Sequence, residues 1–192
     1  MIYEEIENFL DEKYFQHLYD KITKGNNQFP WLFQGQVAYK GDPNDDAYYF
    51  VHSVFDNHQP YSRIHNDLEG VYNALGVKAL IRTRVLMYTN QGRQIVHSPH
   101  VDFSYSHKAA LLYMNTNNGY TLMADEGVTI EASQTLDDII FVNGCDGTDP
   151  FTQQNKSMSV RNKCTIHDGA RPHCSSTCTD AKSRILIAIN YF

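Results

Sequence analysis

Ile95-Val96-His97-Ser98-Pro99-His100-Val101-Asp102-Phe103 is the stretch around which this chain is organised. In extended backbone, residues two apart project from the same face, with Cα atoms about 6.6 Å apart. His100 and Asp102 at that spacing can converge on one metal ion. Two ligands leave such a site incomplete, so the rest of the chain must supply a third. Far downstream His173 offers it, and Arg184 follows eleven residues later.

On either side of that stretch the pattern is that of a sheet. Ala79 to Thr89 reads as a long strand, with Ile81, Thr83, Val85 and Met87 on one face and Arg82, Arg84, Leu86 and Tyr88 on the other. Asn90-Gln91-Gly92-Arg93 makes the turn into the His100 segment, read as the next strand. Further strands are expected at Lys108–Asn115, Tyr120–Met123, Val128–Glu131, Asp138–Asn143 and Arg184–Tyr191. Before them, Asp11 is a fitting N-cap for a helix whose Phe15, Leu18, Tyr19 and Ile22 form one apolar stripe, ended by Gly25-Asn26-Asn27. A loop over Gly41–Asp46 and a strand from Ala47 to Phe55 come next. A second helix is expected from about Pro60 to Leu75, with Gly76 past its end. Helices followed by many short strands with Gly/Asn turns predict an α+β, mainly β domain, a sandwich or barrel. No repeat or low-complexity segment interrupts it.

At 192 residues the chain can bury a core as one domain. A formal charge of −6 and the lack of any Lys/Arg run argue against a nucleic-acid binder. The acidic start, Met1-Ile2-Tyr3-Glu4-Glu5, has no apolar signal region, and no apolar run approaches a membrane span. A soluble, cytoplasmic protein is the expectation. Cys145, Cys164, Cys174 and Cys178 lack Cys-x-x-Cys spacing, so reduced thiols are preferred over a zinc clip.

His100, Asp102 and His173 together form a 2-His-1-carboxylate set, which leaves three positions open on non-haem Fe(II). The helical His-Glu-x-x-His signature of zinc hydrolases is missing, so iron is the better assignment. Arg184, opening the apolar strand Ile185–Phe192, suits a carboxylate held bidentately. Tyr88 and Tyr113 could donate to the same carboxylate or serve as plain core aromatics. Arg84, beside Arg82, reaches either the substrate cleft or an edge ion pair. The other histidines, among them His52, His97 and His107, have no partner spacing and read as solvated or capping.

With these residues quoted, the chain resembles the iron(II)/2-oxoglutarate-dependent dioxygenases, specifically their prolyl 4-hydroxylase-like branch. His100-Val101-Asp102, Tyr113-Met114-Asn115 leading to Gly119-Tyr120-Thr121, His173 and Arg184 carry the resemblance, with Phe9-Leu10 and the run Ile81–Tyr88 into Gly92 in support. It covers most of the chain. It implies a double-stranded β-helix (jelly-roll) core over 79–192, with residues 1–78 as helical support on one sheet. It implies Fe(II) on His100, Asp102 and His173, with dioxygen and 2-oxoglutarate as cosubstrates and ascorbate as an optional reductant. The far carboxylate of 2-oxoglutarate would meet Arg184, helped by Tyr113 and Tyr88, and Asn190 falls on the inward face as a substrate-side candidate, as Arg84 does. The implied reaction hydroxylates a prolyl or other residue of a peptide or protein, releasing succinate and CO2. A carboxylate at Asp102, where related halogenating enzymes carry a small residue, implies hydroxylation. The family reaches its distal histidine by a short link, so the polar stretch 144–172 is expected to be an irregular insertion beside the site, with His167 inside it. A small-molecule hydroxylase, a non-catalytic jelly-roll binding module and a zinc hydrolase are the alternatives. Oligomeric state is open.

Overall fold

Alternation along the last strand sorts the molecule into two sides. Ile185, Ile187, Ile189 and Tyr191 enter a core shared with Phe15, Leu18, Ile22, Leu68 and Val71. Leu186 and Ala188 turn the other way, against Tyr49, Leu86, Tyr88, Leu111 and Tyr113. The period of two fixes both assignments, since a one-residue slip would exchange them.

A computed structural model describes residues 3–24, 29–38, 46–126, 128–132, 139–142, 151 and 155–192. In chain order its elements are β1 (Tyr3–Ile6), α1 (Glu12–Thr23), β2 (Leu32–Gln34), β3 (Tyr49–Asp56), β4 (Gln59–Pro60), α2 (Ile64–Asp67), α3 (Glu69–Leu75), β5 (Leu80–Thr89), β6 (Lys108–Tyr113), β7 (Tyr120–Met123), β8 (Thr129–Ala132), β9 (Ile139–Val142), β10 (Lys156–Met158), β11 (Cys164–Asp168), β12 (His173–Ser175) and β13 (Ser183–Tyr191). A large antiparallel sheet has the order β1-β11-β6-β13-β5-β3-β2, with β4 on β3. A small sheet runs β10-β7-β12, and isolated bridges Val96–Ser176 and His100–His173 lay the 96–100 segment along its β12 edge. From β5 onward the chain passes back and forth between these two sheets, which is the double-stranded β-helix. Among the described residues, β8 and β9 pair only with each other.

The Asp11 side chain caps α1, accepting from the Lys13 and Tyr14 N–H groups at 3.0 and 3.3 Å. Its apolar stripe is buried at Phe15, Leu18 and Ile22, as the spacing predicts. The second helical region is shorter than expected. Pro60 pairs with Phe55 across a strand, and the helix divides at Leu68 into α2 and α3, closed by Gly76 in the left-handed region at φ 67°. No helix among the described residues is long and apolar enough to cross a membrane. Gly25–Asn27, most of the Gly41–Asp46 loop and Cys145 lie outside the described residues.

The irregular insertion expected over 144–172 needs correction. Its described part holds β10 and β11, and β11 lies in the large sheet between β1 and β6. The pair β8–β9 lies in the chain between β7 and β10, which are neighbours in the small sheet. On the outward face of that sheet Tyr120, Leu122 and Cys174 pack with Val128 and Phe151.

Candidate functional site

Main-chain pairing brings His100 and His173 together. Each N–H donates to the other's carbonyl at 2.9 Å. In such a hydrogen-bonded antiparallel pair both side chains leave the same face, and the two imidazole centroids are 4.6 Å apart. Asp102 follows two residues on, its N–H donating to the Gly169 carbonyl at 3.2 Å. One ligand atom from each of His100, Asp102 and His173 lies within 4.8 Å of the others. The expected regular strand at His100 is absent: the segment pairs with the sheet through isolated bridges at Val96 and His100, with Pro99 between them having no N–H to donate.

The outer contacts orient this set for a cation. His173 Nδ1 lies 3.0 Å from the Arg171 carbonyl and His100 Nδ1 3.3 Å from that of Ser98. A carbonyl only accepts, so Nδ1 carries the proton in both rings and each Nε2 lone pair is left for a metal. Asp102 Oδ1 accepts from Arg82 at 2.5 Å, and Oδ2 accepts from Asn190 at 2.8 Å. Asn190 is fixed in turn: its Oδ1 accepts from Arg82 Nε at 3.3 Å, and its amide donates to His107 Nε2 at 3.2 Å. Gly169 permits that arrangement, because a Cβ there would overlap the His107 ring.

Burial pushes the His100 imidazole down to about 3, with His173 adding to the effect. Burial alone would raise the Asp102 carboxyl, but His173, Arg82, Arg84 and His100 outweigh it and hold the group well below the usual carboxylate range. A neutral imidazole and an ionised carboxylate are the forms a metal needs. Replacing Asn190 by Ala is expected to weaken Mn(II) binding about 10–100-fold, read by titration against a chelating indicator. Unchanged affinity would refute the orienting role of that amide.

Behind the set lies a buried cation. Arg184 is 0% exposed. Its Nε donates to Ser159 Oγ at 2.6 Å, one terminal nitrogen to the Ser176 carbonyl at 3.1 Å and the other to Thr121 Oγ1 at 2.8 Å. These use three of the five N–H donors of a guanidinium. Tyr88 and Tyr113 flank it with ring centroids 5.7 and 5.4 Å away. Gly119 makes room, since a Cβ there would come within 2.7 Å of Arg184 Cδ. Among the described residues no carboxylate lies within 4.0 Å of Arg184. An uncompensated buried charge is costly, so this pocket calls for an anion. The cavity between the sheets is lined by His100, Asp102 and His173 and by Tyr88, Thr121 and Ser175, and Arg184 lies behind Thr121 and Tyr88.

Tyr113 donates to Ser157 Oγ at 3.1 Å, and its hydroxyl lies 3.5 Å from that of Thr121. The Tyr88 hydroxyl bonds Ser175, and burial raises its ionisation, so it remains a donor. Of the expected site residues, His100, Asp102, His173, Tyr88 and Arg84 line the cavity, while Arg184 and Tyr113 lie behind Thr121 and Asn190 lies behind Asp102. The structure corrects the reading of the other histidines, because His52, His97 and His107 are buried. His97 lies against Tyr88 at 4.9 Å between centroids and bonds Ser175 Oγ through Nδ1 at 2.7 Å. His167, on β11, packs its ring 5.0 Å from that of His173.

Burial, with Arg184 and His100 beside it, pushes His97 down to about 3. The unfolded chain then binds the extra proton below about 6.5 while the folded one does not, so stability is lost as pH falls from about 6.5 toward 3. Each such histidine contributes a slope of at most about 1.4 kcal/mol per pH unit. Denaturant unfolding of His97→Gln between pH 6.5 and 4.5 is expected to show a shallower loss than wild type; identical slopes would contradict the buried neutral ring.

No protein-family model and no curated protein sequence matches the chain. Solved structures do match it in fold. The epimerase SnoN of nogalamycin biosynthesis, in complex with Fe3+, alpha ketoglutarate and nogalamycin RO, aligns over 100% of this chain and 78% of its own at 11% identity and TM-score 0.65. An oxidoreductase of the 2OG-Fe(II) oxygenase family from Burkholderia pseudomallei aligns over 99% and 84% at 12% identity and TM-score 0.65. A prolyl hydroxylase from Trichoplax adhaerens, in complex with a hypoxia inducible factor oxygen degradation domain peptide fragment, aligns over 100% and 83% at 12% identity and TM-score 0.60. The fold is thus the jelly roll of the 2-oxoglutarate/iron(II) oxygenases.

Proposed function

We propose that the protein is an Fe(II)- and 2-oxoglutarate-dependent dioxygenase that hydroxylates its substrate. The observation that carries this reading is a buried guanidinium, Arg184, with no carboxylate partner among the described residues, packed behind Tyr88 and Thr121 in the wall of the cavity that holds the His-Asp-His set. His100, Asp102 and His173 would hold the iron. Bound there, iron with dioxygen supplies the oxidation in which 2-oxoglutarate, O2 and a substrate C–H become succinate, CO2 and C–OH. The chain's own residues do the rest. Arg184 holds the far carboxylate of 2-oxoglutarate, with Thr121, Tyr113 and Tyr88 around it. Arg82 and Asn190 keep Asp102 turned toward the histidines, and Leu86, Leu111 and Leu186 form a cavity wall that excludes water.

The finer reading is a prolyl 4-hydroxylase-like enzyme acting on a peptide or protein residue. The second is a small-molecule hydroxylase of the same chemistry, favoured by an unsatisfied arginine at the cavity mouth. Succinate formation from 2-oxoglutarate in air with Fe(II), followed with proline-rich peptides and free amino acids as candidate substrates, tests the chemistry. Wild type is expected to form succinate and add one oxygen to a substrate, and His100→Ala to do neither. No iron-dependent turnover would leave a binding module, and hydrolysis without 2-oxoglutarate would indicate a zinc hydrolase.

A further inference from the structure

Two arginines project from β5 toward the site, and they are not equivalent. Arg82 is fully engaged: it donates to Asp102 at 2.5 Å and to Asn190 at 3.3 Å, and its guanidinium lies 4.6 Å from the Phe103 ring centre. Arg84 has no such partners. Its Nε is buried without an acceptor. The carboxylate oxygen within reach, Asp102 Oδ1, is 3.9 Å from it and already taken by Arg82. At that distance the contact is an electrostatic attraction and not a hydrogen bond.

Its position gives this unmet demand a meaning. Arg84 lines both the interior cavity that holds the His-Asp-His set and an outer cleft walled by Gln34, Gln36, Val37, Ala38 and Tyr49. Among the described residues lining either space, Asp102 is the one acid. Its single charge is set against Arg82 and Arg84 together. A divalent cation and the doubly charged cosubstrate add no net charge, so the excess persists in the loaded site. On the same inward face Leu86 and Tyr88 pack as apolar wall, and a guanidinium there serves no packing need.

We infer that Arg84 is a substrate-recognition residue that takes a carboxylate, making the substrate a small carboxylic acid with an apolar or amphipathic body. The planar fork of a guanidinium matches a carboxylate bidentately. One cation without a hydrogen-bonded carboxylate among the described residues suits a monoanion; a phosphate would call for several donors. A prolyl residue inside a peptide carries no charge for Arg84 to meet. Because Arg84 stands beside Asp102, the carbons next to the held carboxylate are those presented to the reacting centre. The inference rests on the oxygenase reading for where that centre lies.

The test is calorimetric titration of the protein loaded with Mn(II) and 2-oxoglutarate, a pair that binds without turnover. L-Proline, L-leucine, L-phenylalanine, 3-phenylpropanoate and benzoate are each titrated beside the primary amide, with acetyl-prolinamide as the peptide surrogate. At least one acid is expected to bind at least about tenfold more tightly than its amide. Arg84→Gln should abolish that gap, and Arg84→Lys should keep part of it, with melting curves confirming that both variants fold. Equal binding of acids and amides, no acid binding to loaded wild type, or an unchanged gap in Arg84→Gln would overturn the inference. So would a loss in Arg84→Gln of affinity for 2-oxoglutarate itself, which would assign the guanidinium to the cosubstrate. Failure of the oxygenase reading looks different: wild type would take up neither Mn(II) nor 2-oxoglutarate.

Discussion

His173→Ala is expected to bind Fe(II) or Mn(II) far more weakly than wild type, beyond the about 10–100-fold that a change in an orienting contact costs, and to make no succinate from 2-oxoglutarate. One of the three proposed ligands is gone, and His167, the nearby imidazole, is not among the atoms that converge. The fold survives, because His173 is tied to His100 through main-chain bonds at 2.9 Å that an alanine retains. Metal titration beside a melting curve checks both halves. Full metal affinity in a folded His173→Ala protein would remove this histidine from the site.

Arg184→Gln separates binding from stability. Affinity for 2-oxoglutarate is expected to fall on the order of 100-fold or more, the usual consequence of removing one partner of a buried, hydrogen-bonded ion pair. The ligand-free protein should melt no lower than wild type. In it the guanidinium is wholly buried with no carboxylate among the described residues to offset its desolvation, so a neutral amide relieves a cost. Calorimetry with 2-oxoglutarate and thermal unfolding of the empty protein read the two effects. A marked fall in melting temperature with cosubstrate affinity intact would make Arg184 a structural residue.

Alternation along β5, and along β13 from Arg184, set the two faces as the structure has them, and Asp11 with its stripe marked α1. The strands β10, β11 and β12, which were not expected, carry buried polar residues. In β11, Thr165 and His167 are buried polar residues, and Thr165 bonds Ser157 inside the molecule at 2.7 Å. In β10 and β12, Ser157, His173 and Ser175 are likewise buried, and Cys174 packs on the sheet's outer face. A strand whose inward side chains are polar has no alternating hydrophobic signature that distinguishes it from a loop. That explains why 144–172 read as irregular.

Much the same holds for the site. His100, Asp102, His173 and Arg184 were singled out by residue type, spacing and resemblance, and the fold brings the first three together. Arg82 and Asn190, which grip the two oxygens of Asp102, stand 20 and 88 residues from it, and only the pairing of β13 with β5 brings them together. The serine and threonine bed of Arg184, from Thr121, Ser159 and Ser176, is equally a product of register and gave no signal in one dimension.

Anomalous diffraction at the manganese edge, from crystals grown with Mn(II) and 2-oxoglutarate without oxygen, tests the central claim most directly. The account predicts one strong peak between His100 Nε2, His173 Nε2 and the Asp102 carboxylate, with the far carboxylate of 2-oxoglutarate against Arg184. A metal bound elsewhere, or a cosubstrate whose carboxylate avoids Arg184, would contradict it.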